Sequence, residues 1–131
     1  MEMQNARIVS TELGLIANGM MSFFLHLEWP GGGVGFGGRC LDEWSAKHDE
    51  RIGTQMGAQL IIQILKTVGV EKWEDLKGKY VRVPPVRLGA TCNCIGHLLE
   101  DKWLDLNEFV DRMTTPGRTP VWHPKGDSSC T

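Results

Sequence analysis

The sequence predicts an α+β domain, an antiparallel meander of strands with one main helix packed on the sheet and a short C-terminal helix. Three observations predict it. Met20 to Trp29 alternates apolar and polar residues as a half-buried strand does. From Met56 to Val68 the apolar residues recur at helical spacings of three and four. Turn residues, above all Asn18-Gly19 and Pro30-Gly31-Gly32-Gly33, separate the periodic segments.

Taken in order, Ala6 to Leu13 carries β-branched residues with Val9, Thr11 and Leu13 on one face, so it reads as the first strand. Asn18-Gly19 suits a type I′ hairpin turn, because both residues tolerate positive φ. In the second strand Met21, Phe23, Leu25, Leu27 and Trp29 share one face. Ser22, His26 and Glu28 share the other with Phe24. Val34 to Leu41 returns as a glycine-rich third strand. Asp42 to Arg51 is polar and reads as a loop or short helical turn. Thr54 is the expected N-cap of a helix over Gln55 to Val68, with Gly69 as its C′ residue. Val70 to Leu76 reads as a short helix or turn. Lys79 to Val83 and Cys94 to Leu99 read as strands separated by a loop from Val86 to Asn93. Asp105 can cap a helix over Asp105 to Met113, with Glu108 in the capping-box position. Residues 1–113 therefore form one domain. Residues 114–131, with three prolines and two glycines, read as an extended or disordered tail.

A chain of 131 residues can bury roughly two-thirds of its unfolded surface, enough for one core. The formal net charge of −2 gives no basic excess of the kind polymeric nucleic acid attracts. No leader-like N-terminus and no apolar run of bilayer length is present, so a cytoplasmic protein without membrane contact is expected. Cys40, Cys92, Cys94 and Cys130 lack C-x-x-C spacing and read as small hydrophobes in a reducing compartment. In a strand, Cys92 and Cys94 would share a face. No metal or other cofactor is expected.

Catalytic signals are sparse. His26, His48, His97 and His123 are scattered, and neither a phosphate-binding loop nor a nucleophile elbow is present. The expectation is a binding protein, not an enzyme. Two features point to what it binds. Gly31, Gly32, Gly33, Gly35, Gly37 and Gly38 crowd one strand. Such density reads either as a twisted strand edge or as a strand whose missing side chains leave room for a flat ligand. In the second reading Phe36 stacks, the backbone at Gly37 approaches, and Arg39 meets an anion. Arg82 and Arg87 also lie in or beside strands, where they either form solvated surface or converge on a phosphate. Asn93, at the end of the intervening loop, offers a donor and an acceptor to a base edge. Trp103 reads as a core-plugging aromatic or, less simply, as a ligand stacker.

The strings Leu25-His26-Leu27, Gly35-Phe36-Gly37-Gly38, Leu41-Asp42, Gly78-Lys79-Tyr80-Val81-Arg82-Val83 and Ile95 to Trp103 resemble a family of small phage and prophage proteins, the first-described family of Thoeris anti-defence (Tad) proteins. The resemblance covers roughly residues 6 to 112. Cys92, Cys94 and the proline-rich tail depart from it. It implies a signal sponge that binds and sequesters a cyclic ADP-ribose isomer, made by a TIR-domain protein, without cleaving it. It also implies a homo-oligomer built from dimers with pockets near the subunit interface. Some members hold cyclic oligonucleotides at a second site. The competing expectation is a small phage protein that inhibits a host defence protein by direct contact, through an exposed sheet edge or the tail.

Overall fold

A computed structural model describes residues 3–85 and 91–114. The first three strands are β1 (Gln4–Ala17), β2 (Met20–Trp29) and β3 (Gly32–Cys40), paired antiparallel in succession. The β1–β2 turn is the expected one, with Asn18 at φ 54° and Gly19 at φ 86°. β1 is longer than the sequence pattern indicated. Register shifts at Val9 and at Leu15–Ile16 disturb its period of two and hide its length.

Asp42 to Arg51 is not a loop or helical turn. It contributes β4 (Asp42–Ser45) and most of β5 (Glu50–Gly53), a separate antiparallel hairpin. Its polar side chains conceal the pairing, which Arg51 secures: Nε and Nη2 donate to the Asp42 carboxylate at 3.0 and 2.9 Å. That hydrogen-bonded guanidinium holds the Asp42 carboxyl below its usual range.

The main helix, α1 (Gln55–Val68), begins and ends as expected. Thr54 Oγ1 accepts from the Gly57 backbone N–H at 2.9 Å, and Gly69 follows in the left-handed region. Leu60, Ile64 and Val68 join the core. Gly57 is required by closeness, since a Cβ there would overlap the Leu41 carbonyl that Thr54 also uses. Gly57→Ala is therefore expected to lower stability by about 1–2 kcal/mol, overpacking outweighing the gain in helix propensity. Urea denaturation with an unchanged m-value would check this.

A single 3-10 turn at Trp73–Asp75 leads to β6 (Tyr80–Val83), which pairs antiparallel with the start of β1. β7 (Thr91–Cys92) runs parallel to β3, and β8 (Cys94–His97) runs antiparallel to β6. β9 (Trp103–Asp105) pairs with β8 and passes directly into α2 (Leu106–Thr114), where Asp105 Oδ1 accepts from the Glu108 N–H at 3.0 Å. The strand order is β7-β3-β2-β1-β6-β8-β9.

That order closes on itself. β7 and β8 are one stretch of chain interrupted at Asn93, yet one pairs with β3 and the other with β6. With that stretch counted once, β1, β2, β3, β6 and β7–β8 form a five-stranded ring. The helix lies between the third and fourth of these strands, and the third is parallel to the fifth. This is the connectivity of an OB-fold, a partly open Greek-key barrel. Ile8, Phe23, Leu25, Leu27, Phe36, Val81 and Ile95 fill its interior.

The kink at Asn93 has a second effect. Cys92 lies in the barrel core, whereas Cys94 packs with Trp103 and Met3, so the two do not share a face. Burial pushes the Cys92 thiol up, in keeping with a small buried hydrophobe. Cys40 is exposed. Among the described residues no helix is long and apolar enough to cross a membrane. Thr114 ends α2, and the rest of the expected tail lies outside the described residues.

Candidate functional site

The outer face of β2 and β3 is set by their register. Phe24 is paired with Gly37, His26 with Gly35 and Glu28 with Gly33. From Phe24 to Glu28 each outward residue of β2 thus faces a glycine, and over these positions β3 presents backbone alone. The room so created is partly occupied from within. A Cβ at Gly35 would overlap the Phe24 ring, and one at Gly37 would meet the Phe23 carbonyl and ring. Gly32 and Gly96 carry Trp29 and Trp103 in the same way. Aromatic cover of bare strand positions is thus one packing rule repeated through the barrel.

Phe24 and His26 lie side by side on this face, ring centroids 5.0 Å apart and planes tilted by 44°. His26 Nε2 and Glu12 Oε2 of β1 are 2.9 Å apart, which fixes the imidazole's orientation. Sequence reasoning assigned no role to this group. The signal was present: Phe24 is an aromatic residue on the otherwise polar face of β2.

Of the expected site residues, Phe36 is a correction. Its side chain points into the barrel, is fully buried and packs against Phe23 at 6.0 Å between centroids. Its ring is not open to a ligand, because strand alternation places it with Val34 on the inner face. Gly37 sits at the register shift between β2 and β3, with φ 133°.

Arg39 lies beyond that shift, and its Nη2 donates to Asn107 Oδ1 on the first turn of α2. No carboxylate among the described residues pairs with it. Asn93 is exposed and its carbonyl accepts from the Leu106 N–H at 2.8 Å. The end of β3, the β7–β8 kink and the start of α2 therefore meet at one corner, bringing Arg39, Asn107 and Asn93 together. Asn107 was not foreseen, since its partner is 68 residues away in sequence.

Arg82 is engaged elsewhere. Nε donates to the His97 carbonyl at 2.7 Å and Nη2 to the Glu100 carbonyl at 2.8 Å. The guanidinium carbon stands 4.5 Å from the Trp103 ring centroid. Trp103 is itself buried and donates Nε1–H to Asp101 at 2.9 Å. Arg82 thus clamps the 97–102 turn through backbone carbonyls and an aromatic face. Arg87 lies outside the described residues.

Among the described residues, no group of three or more His, Cys, Asp or Glu is arranged to hold a metal ion. An open depression of about 510 Å³ along Gly69 to Lys79 carries three acidic and three basic side chains and includes none of the expected site residues. No family model matches the sequence, and neither the curated proteins nor the solved structures contain a match.

Proposed function

We propose that this chain is a phage anti-defence sponge, which binds a cyclic ADP-ribose isomer in the bacterial cytoplasm and withholds it from its effector without cleaving it. The observation that carries the reading is Arg39. It is a guanidinium with no carboxylate partner among the described residues, set at the end of a glycine-rich strand whose outer face is partly covered by the Phe24 ring. Such a cation meets a pyrophosphate, and the absence of side chains on the outer face of β3 lets a flat nucleotide approach the Phe24 ring beside it. Outer surfaces of the second and third strands serve oligonucleotides and oligosaccharides in other barrels of this connectivity, an analogy of fold alone. The resemblance to Thoeris anti-defence proteins supplies the identity of the ligand and the expectation of a homo-oligomer.

The test is capture. The protein is mixed with a glyco-cyclic ADP-ribose preparation, freed of unbound ligand and heat-denatured, and the released material is analysed by chromatography and mass spectrometry. Intact ligand in near-stoichiometric amount is expected. Arg39→Ala should weaken binding by about tenfold or more, the loss of one charge-assisted hydrogen bond, while the protein stays folded despite losing the bond to Asn107. No capture by folded protein would sink the proposal, and an altered ligand would make the protein an enzyme.

A second reading is favoured by a different feature. Beyond Ile8 the second edge of β1 has no backbone partner among the described residues, and Leu13, Leu15 and Ile16 are exposed along it. An apolar, unpaired edge is suited to strand addition by another protein. On this reading the chain inhibits a host defence protein by direct contact.

A further inference from the structure

We infer that Phe24 and His26 form the nucleobase-stacking subsite of this protein, the role that the sequence alone placed on Phe36. The inference rests on the nucleotide reading above for its ligand class and goes beyond it in locating the base.

Four observations converge. Phe24 and His26 are the ring-bearing side chains on the outer face of β2, next to each other at 5.0 Å. The facing positions on β3 are Gly37 and Gly35, so no β3 side chain stands between the rings and a planar ligand. One side of the Phe24 ring rests over Gly35, which holds the ring against the sheet. Glu12 anchors His26 from β1 and supplies a carboxylate at the margin of the platform.

The chemistry matches a purine or pyrimidine ring. Base–aromatic stacking is tolerant of base identity because every base has a π-face. A carboxylate beside the ring accepts from an exocyclic amine, as adenine and cytosine carry and uracil lacks. Arg7 and Glu28 are cross-strand partners at the far end of the same face, and their opposite charges leave no strong local field. The platform therefore recognises a base by stacking and an amine by Glu12, while phosphate is met at Arg39 beyond the register shift in β3.

The test uses adenosine 5′-monophosphate as the probe, at millimolar concentration, followed by NMR of the aromatic side chains. The Phe24 and His26 ring signals are expected to move on titration. Phe24→Leu, which keeps an apolar group near Gly35, should weaken binding by about tenfold, the loss of one base–aromatic stack, while the protein stays folded. His26→Ala, at a more exposed position, should weaken it as well. Glu12→Gln should reduce the preference for adenosine over uridine monophosphate. Unmoved ring signals, or wild-type affinity in Phe24→Leu, would overturn the inference. Its failure is separable from that of the sponge. Capture of the cyclic signal with unmoved rings removes the subsite alone, whereas moved rings without capture support the subsite and remove the sponge.

Discussion

Phe36→Ala is expected to lose about 3–5 kcal/mol of stability, the range for removing a fully buried aromatic from a packed core. The ring has no exposure and contacts Phe23, which in turn meets Trp73 edge-on at 6.3 Å between centroids. Nothing in the barrel can collapse cheaply into the space, since the walls are strands held by their own ladders. A domain of this size holds roughly 5–15 kcal/mol in total, so the variant should melt at a much lower temperature and populate unfolded chain at 37 °C. Chemical denaturation at 25 °C checks the magnitude. A Phe36→Ala protein as stable as wild type would mean the side chain is not in the core. The measurement also separates two meanings of a binding defect. Any loss of ligand affinity in this variant should follow the unfolded fraction, whereas Phe24→Leu should lose affinity while staying folded.

Arg82→Ala is expected to lower stability by about 2–3 kcal/mol. The substitution removes two charge-assisted hydrogen bonds to the His97 and Glu100 carbonyls and the cation–π contact with Trp103. Water can reach the Glu100 carbonyl, so the sum is smaller than for a fully buried clamp. From the sequence, the same substitution is expected to spare the fold and weaken a ligand. Thermal unfolding together with hydrogen exchange over residues 97–102 distinguishes them: a local rise in exchange in that turn marks the clamp. Arg82→Lys should recover little, because an ammonium cannot span two carbonyls while lying flat on an indole.

Other parts of the candidate site differ in how far they could be read ahead. Arg39 stands out as a strand-borne cation in a slightly acidic chain, and among the described residues no carboxylate pairs with it. Arg82 has the same local signature, yet its donors are taken up by backbone carbonyls brought close by β6–β8 pairing. Sequence separation, 15 residues to His97 and 18 to Glu100, conceals that partnership. The glycine run is informative about space but silent about what fills it. Only the packed structure shows that Phe24 leans over Gly35, one pair along from its own partner Gly37, and that Phe36 is enclosed in the core.

By itself the sequence determined the elements whose signals are local. The Asn18-Gly19 turn needs positive φ at both residues, and the α1 stripe, its Thr54 cap and the Asp105 cap depend on residues within one or two turns of each other. The inner face of β2 follows from strict alternation. The tertiary structure alone decided the closure of the sheet, the β4–β5 hairpin and the surroundings of Phe24, Phe36, Arg39 and Arg82. The physical reason is common to all of these. Strand partners are chosen by long-range pairing, and a single interruption, such as Asn93 between Cys92 and Cys94, exchanges the faces of everything beyond it. Local propensity carries no record of that exchange, so whether a ring lies in the core or on the outer face is decided only when the barrel closes.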